Sequence, residues 1–158
     1  MKQTLILIVA IGWMNLSFAQ SEKLSDPSPY FAAIIVSNMD TSLQWYQEKL
    51  GFKVLNQVNM TDRGFRQANL QRGKALIELI ELSAALHPKE ILKSKSKKTR
   101  IGGFFKFGFT VKQFDKWLSH LQSCGAEFNG KVVVDKNSGK RMVIINDPDG
   151  NRIQLFEK

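Results

Sequence analysis

Apolar and polar residues follow two different periods along the chain, and the changes of period predict its elements. Residues 31–36 form a short apolar run with several β-branched side chains, which is typical of a strand. Over residues 39–50 the apolar positions recur every three or four residues, which predicts an amphipathic helix that ends at Gly51. Strand-like stretches then follow at residues 53–60, 65–70 and 74–82. The first half therefore predicts a strand, a helix and three more strands.

The same order of elements occurs again in the C-terminal half. Residues 104–111 predict an aromatic strand, and an amphipathic helix follows that ends at Gly125. The last predicted strands span residues 131–135, 142–146 and 152–157. Val36 and Val111 are 75 residues apart, and the second matching pair, Ile77 and Ile153, is separated by 76. Because the spacing is nearly equal at both ends, the chain is predicted to repeat one βαβββ module.

The first twenty residues have the pattern of a secretory signal peptide. Lys2 gives a positive start, residues 5–14 are apolar, and small residues precede a cleavage point between Ala19 and Gln20. We therefore expect a signal peptide at residues 1–19 and a secreted or periplasmic mature protein. The alternative is a buried N-terminal helix or strand.

Composition narrows the class of protein. The apolar set makes up 43% of the chain and charged residues 23%, which excludes wholesale disorder. The single cysteine, Cys124, excludes an internal disulfide framework and a cysteine-based zinc site. With 23 Lys and Arg against 14 Asp and Glu, the net charge is +9. The sequence therefore describes a small, basic globular protein.

Much of the positive charge is concentrated between the two predicted modules. The basic residues of this linker are Lys89, Lys93, Lys95, Lys97, Lys98 and Arg100. The run has no interleaved aromatic residues, and export would separate it from the genome, so we expect no nucleic-acid partner. A solvated loop is the favoured interpretation. Weak attraction to an anionic surface and steering of an anionic ligand are the alternatives.

Two segments resemble the vicinal oxygen chelate superfamily, which includes glyoxalase I, extradiol dioxygenases and bleomycin resistance proteins. Residues 35–52 read IVSNMDTSLQWYQEKLGF, like the opening of the family's module, and residues 147–157 read DPDGNRIQLFE, like its closing hairpin. The resemblance implies an α+β fold in which tandem βαβββ modules form a U-shaped, half-open barrel, as a monomer or a homodimer. It covers residues 29–158, with module one at 29–83, the basic linker at 84–103 and module two at 104–158.

The resemblance also implies where metal ligands would lie. Active members of the family carry His, Gln or Glu on the first and last strands of each module. The matching positions here are Phe31, Glu78, Lys106 and Gln154. Phe31 has no donor atom, and the Lys106 ammonium would repel a divalent ion. His87 and His120 lie away from the groove strands and are expected to be solvated. We therefore expect no metal cofactor, with a divalent metal as the alternative.

Strand alternation then predicts which residues share the groove with these positions. The predicted ligand-binding residues are Phe31, Ile35, Glu78, Lys106, Thr110, Arg152, Gln154 and Phe156. A mostly apolar groove with two cations and one carboxylate is typical of a site for a small anionic or carbonyl-bearing molecule. Glu78 is expected to form an ion pair with Lys106.

Two other classes of function stay open at this point. One is a metal-dependent lyase, isomerase or dioxygenase with an atypical ligand set, in which Glu78 is the candidate general base. The other is an interaction protein whose groove is filled by its own Phe31 and Phe156. A measurement of metal content would distinguish such an enzyme from a binding protein. A ligand screen would distinguish a binding protein from an interaction protein whose groove is filled.

Overall fold

The computed structural model describes residues 28–93 and 102–158, so the predicted leader and residues 94–101 of the basic linker lie outside the described residues. The first module has the elements β1 (Phe31–Val36), α1 (Met39–Leu50), β2 (Lys53–Met60), β3 (Phe65–Arg72) and β4 (Ala75–Leu82). Its sheet has the strand order β1-β4-β3-β2, with β1 parallel to β4. A short helix, α2 (Pro88–Ile91), follows.

The second module repeats this arrangement. Its elements are β5 (Phe107–Val111), α3 (Phe114–Ser123), β6 (Glu127–Phe128), β7 (Val133–Val134), β8 (Arg141–Asn146) and β9 (Arg152–Glu157). The sheet order is β5-β9-β8-β6, with β5 parallel to β9 and the short β7 paired to β8. The predicted α+β fold of two βαβββ modules is confirmed.

Local sequence signals explain where α1 begins and ends. The Asn38 side chain accepts a hydrogen bond from the Thr41 backbone N–H at 2.8 Å, which satisfies one of the unpaired donors of the first turn. The helix ends at Gly51, whose backbone is left-handed with φ of 63°, and whose N–H bonds to the Gln47 carbonyl. These caps fix the direction in which β2 leaves the helix.

One apolar core joins the two modules. It lies between the sheets and the two long helices, and it takes alternate residues of β1 and β4 in module one and of β8 and β9 in module two. The rings of Phe52 and Phe109 meet across the module boundary, with centroids 5.7 Å apart. The opposite face of each sheet is left for the groove. No helix in the described ranges has the length and apolarity needed to cross a membrane.

Two of the predicted strands differ from the structure. The strand predicted at 104–111 begins only at Phe107, which pairs with Ile153, because the residues before it pair with no strand in the described part of the chain. The strand predicted at 131–135 is reduced to Val133–Val134, both exposed. The hydrogen bond from the Asp135 N–H to the Lys140 carbonyl instead closes a turn there.

Candidate binding groove

The strand registers bring the four family positions onto the groove face of the two sheets. In module one, Ala33 lies opposite Glu78, and Phe31 is two residues away along the same face. In module two, Gly108 lies opposite Gln154, and Lys106 is two residues before it, next to the start of β5. The side chains that alternate with these positions on β1 and β4, such as Ile34 and Ile77, are buried in the core.

The aromatic side chains do not close the groove. Phe31 is 55% exposed and packs edge-on against Tyr30, with ring centroids 5.3 Å apart. Ile35, two residues along, is 48% exposed. Phe156 in module two is half-buried. The groove face of β1 is therefore an open apolar surface.

The polar groups of the groove are held by neighbouring strands. The Glu78 carboxylate accepts a hydrogen bond from the Gln67 amide on β3, and next to it the Asn69 amide donates to the Asn56 side chain at 2.8 Å. In module two, Gln154 is buried and its amide donates to the Met142 sulfur. This row of side chains fixes the direction of the Glu78 carboxylate.

The expected ion pair between Lys106 and Glu78 is wrong. Lys106 is exposed, and its ammonium is not within 4.0 Å of the Glu78 carboxylate, although both residues are described. Each of the two residues gives a physical reason for this. Glu78 already has a partner in Gln67, and an exposed ammonium is solvated and needs no buried counter-charge.

Lys106 borders two of the cavities that open along β5. The smaller one, of about 300 Å³, is formed by β5 and its neighbour β9, and its lining includes four of the predicted binding residues, Lys106, Thr110, Gln154 and Phe156. The larger one, of about 810 Å³, lies between the modules, and we call it cleft one. Cleft one is lined by residues 33–35, 63–64, 82–87, Leu92, 104–107 and 150–152.

Cleft one combines positive charge with apolar walls. Arg63, Lys106 and Arg152 line it, and the described lining residues include no Asp or Glu. The Arg152 guanidinium lies over the Phe105 ring, 4.6 Å from its centroid, so a cation and an aromatic ring form one wall. Ile35, Lys106 and Arg152 are predicted site residues, whereas Arg63 and Phe105 were missed because their segments read only as a turn and a strand end.

His87 lies closer to the site than the sequence predicted. Its side chain lines cleft one, is only 23% exposed, and places Nδ1 4.0 Å from an Asp149 carboxylate oxygen. His87, near the start of the linker, lies against the β8–β9 turn, and local sequence patterns do not report such a contact between distant segments. His120 is on α3, away from the groove, with Nε2 3.0 Å from the Lys49 carbonyl.

A buried hydrogen-bond network holds the turn from which Arg152 projects. The Tyr46 hydroxyl of α1 donates to the Asp147 carboxylate at 3.0 Å, and the Asn151 side chain donates to the same carboxylate at 2.9 Å. Burial raises the pKa of Tyr46 well above its usual range, and the nearby Asp147 charge adds to this. Burial likewise raises the pKa of Asp147, against the opposing effect of its hydrogen bonds. This network ties the edge of cleft one to the other module.

The donor set does not fit a divalent metal. Phe31 offers no ligand atom, Lys106 is a cation, and Glu78 and Gln154 are engaged by Gln67 and Met142. Within residues 28–93 and 102–158, no group of three or more His, Cys, Asp or Glu side chains could hold a metal ion. Three protein ligands are usual for a catalytic metal. No metal-dependent step is therefore assigned to these residues.

Paired βαβββ modules with an open groove define the class of protein, and sequence comparison defines its family. Residues 29–155 match the family model of the Glyoxalase/Bleomycin resistance protein/Dioxygenase superfamily. The chain belongs to this superfamily, whose members often bind small molecules, form dimers and use divalent metals.

Two of the similar proteins are uncharacterized, and a third is described as a glyoxalase family protein. The uncharacterized protein YwkD of Bacillus subtilis is 29% identical over 131 residues, covering 83% of this chain and 97% of that protein. The uncharacterized protein YaeR of Escherichia coli is 28% identical over 127 residues, covering 80% and 92%. The crystal structure of a glyoxalase family protein from Enterococcus faecalis superposes with a TM-score of 0.69 at 25% identity, covering 82% of this chain and 97% of that one. These likenesses extend over essentially the whole of each relative.

Proposed function

We propose that this protein is an exported binding protein that holds a small organic anion in cleft one and the adjoining groove, without a metal ion. The ligand class is a carboxylate or a similar oxyanion attached to an apolar or aromatic body. As in the superfamily, oxygen atoms of the ligand are bound in the groove, but here side-chain cations bind them.

The composition of cleft one carries this proposal. Its walls supply Arg63, Lys106 and Arg152 as cations, and the described lining contains no Asp or Glu. Arg63 has a weak, exposed ion pair with Asp62, at 4.0 Å, and Asp62 lies outside the lining. Its apolar walls come from Ile35, the Leu82–Leu86 segment and the aromatic residues before β5. A volume of about 810 Å³ is within the range of small-molecule sites, roughly 300–1,000 Å³. The site therefore favours a ligand with one anionic end and one apolar end.

Lys106 has a particular place in this proposal. It lines both cleft one and the smaller cavity that contains Gln154. It also lies at a position where the family carries a metal ligand. An ammonium at that point offers three donors and a positive charge to a ligand oxygen, whereas it has no lone pair for a metal.

The test uses the mature chain, residues 20–158, and thermal unfolding with benzoate, phenylacetate and phenylphosphonate. A ligand that binds the folded state raises the unfolding midpoint, and EDTA should leave that rise unchanged. The double variant Arg63→Glu with Arg152→Glu should make the rise much smaller than in the unaltered protein. The control, Lys131→Glu with Lys136→Glu, makes the same change in charge on an exposed loop outside cleft one and should keep it. A rise that needs added metal, or that the cleft-one variant leaves unchanged, would contradict the proposal.

Export is tested separately from binding. When the full chain with its leader is expressed in a bacterial host, mass spectrometry of the extracytoplasmic fraction should find a mature N-terminus at Gln20. A cytoplasmic product that retains Met1 would overturn this part of the proposal and would leave the binding proposal untouched.

A further inference from the structure

A second cavity of similar size lies at the opposite end of the module boundary, and we call it cleft two. It has a volume of about 760 Å³ and lies between the end of α1, the β3–β4 turn, β5 and α3. Its lining includes Phe52, Arg72, Lys74, Lys112 and Trp117, and it shares no residue with cleft one. Cleft two is therefore separate from cleft one, and its β5 wall, residues 108–110, also borders the small cavity beside Gln154.

The internal repeat explains why a second cleft exists. With the spacing of 75 or 76 residues between the modules, Ile34 and Ile35 of cleft one correspond to Phe109 and Thr110 of cleft two. In the same way, the Gly150–Asn151 pair of cleft one corresponds to the Lys74–Ala75 pair of cleft two. Two similar modules that pack side by side thus form a related opening at each end of their boundary.

Cleft two has the same combination of charge and apolar surface as cleft one. Arg72, Lys74 and Lys112 line it, and its described lining contains no Asp or Glu. The floor is apolar because Phe52 and Leu155 are buried core residues that also reach this cavity. An uncompensated set of cations beside an apolar floor favours an anion that carries an apolar body.

Arg72 is already held in place for such a ligand. Its guanidinium lies over the Trp117 ring, 4.3 Å from the centroid, and donates from Nη1 to the Leu50 carbonyl. Among the described residues, this is the hydrogen bond that the structure gives the guanidinium, which has five N–H donors in all. A cation held by a ring and a carbonyl loses little side-chain freedom when it binds an anion.

We propose that cleft two is a second binding site for an organic anion with an aromatic or acyl body, independent of cleft one. Lys74 and Lys112 attract the anionic end, Arg72 donates to it, and the apolar body lies on the floor formed by Phe52 and Leu155. The protein then has two ligand sites for each chain, one at each end of the module boundary.

The test is an NMR titration of the ¹⁵N-labelled mature chain with anilinonaphthalene sulfonate, an aromatic anion. Trp117 lines cleft two, whereas Trp45 lines neither cleft, so the two indole N–H signals provide a reporter and an internal reference. The Trp117 signal should shift and saturate. The Trp117→Phe variant assigns the signal.

Matched charge reversals locate the site. Lys74→Glu with Lys112→Glu should weaken the affinity reported by Trp117 by about tenfold or more, because like charges then face the sulfonate. The Lys131→Glu with Lys136→Glu control should leave it unchanged. Both residues of each pair are exposed, so these variants keep the core intact.

The outcomes also separate this proposal from the one for cleft one. The Arg63→Glu with Arg152→Glu variant should leave the Trp117 titration unchanged even if it weakens binding at cleft one. The second site would be overturned if the Trp117 titration did not saturate, or if the cleft-two variant and the control variant lowered the affinity equally. Neither result would bear on cleft one.

Discussion

At Gly108 a side chain on β5 would meet the backbone of β9. A Cβ atom placed there would lie 2.6 Å from the Gln154 backbone carbonyl oxygen and 3.3 Å from the Gln154 Cβ. Both neighbours belong to a paired strand and cannot swing aside as a flexible side chain would. The absence of a side chain at Gly108 therefore keeps β5 paired to β9 and leaves room in the small cavity beside Gln154.

We predict that Gly108→Ala lowers the free energy of unfolding by about 1–3 kcal/mol, the scale of overpacking in a filled interior. Denaturation of the mature chain by urea measures the change. Gly102→Ala is the control, since a Cβ there would meet nothing within 4 Å. Equal stability of the two variants would contradict the close approach.

Tyr46 connects the modules through a single buried hydroxyl. It is fully buried on α1 and donates to Asp147, which follows β8 in the other module. We predict that Tyr46→Phe lowers the free energy of unfolding by about 1–3 kcal/mol, because it leaves one lone pair of a buried carboxylate without its donor. Urea denaturation checks this against Tyr30→Phe, which alters an exposed hydroxyl and should have little effect.

At the scale of elements, α3, β8 and β9 are tied together by one arginine. Arg141 on β8 donates to Glu157 on β9 at 2.7 Å and to Asp115 on α3 at 2.7 Å, and it lies over the Phe114 ring. Its hydrogen bonds lower the pKa of Glu157 from 4.5 to about 2, and they also lower the pKa of Asp115. Both carboxylates are therefore held in the charged form by the folded state.

Because the pKa of Glu157 is lower in the folded state than in the unfolded state, the free energy of unfolding falls as the pH is lowered. The folded state gains from the ionised Glu157 above pH 4.5, and this gain is lost as the pH falls from 4.5 towards about 2. We predict that Glu157→Gln flattens the fall in stability over this window, measured by urea denaturation at successive pH values. The Asp62→Asn control, at an exposed residue on the β2–β3 turn, should keep the slope of the wild type.

The elements themselves were largely predictable from the sequence, because periodicity reports local geometry. Both long helices and six of the strands follow directly from it. The early start predicted for β5 was wrong because aromatic residues favour strands, whereas Phe104 and Phe105 have no partner strand among residues 28–93 and 102–158. β6 was missed because two residues are too short a run to show a period.

For the site, the sequence predicted which face of each strand a residue occupies, but not the contacts between distant strands and loops. Alternation placed Phe31, Ile35 and Glu78 on one face, and the structure places them there. The partner of Glu78 was not predictable, because Gln67 lies on a third strand whose register the sequence does not state. Cleft one depends on the linker returning to the β8–β9 turn, and such distant contacts leave no local signal.

At the scale of the whole molecule, a metal site in this fold would need both modules. Each module supplies two of the four family positions, so ligands from β1 and β4 must meet ligands from β5 and β9. At the positions that the resemblance matches to first-strand ligands, this chain carries Phe31 in one module and Lys106 in the other. Loss of both first-strand donors leaves an oxygen from Glu78 and one from Gln154, which are too few for a stable catalytic site.

We predict that the mature protein, purified without chelator, carries well below one equivalent of Zn, Fe, Mn or Ni by elemental analysis, and that these ions hardly change its unfolding midpoint. The double variant Phe31→His with Lys106→His restores a donor in each module and should take up about one equivalent of zinc, with a rise in midpoint that EDTA reverses. The control, Ile35→His with Thr110→His, adds the same two imidazoles to the groove face two residues or more away from the family positions and should gain no such rise. Stoichiometric metal in the unaltered protein would refute the interpretation of Phe31 and Lys106, whereas equal zinc uptake by both variants would show that the modules do not fix the ligand geometry.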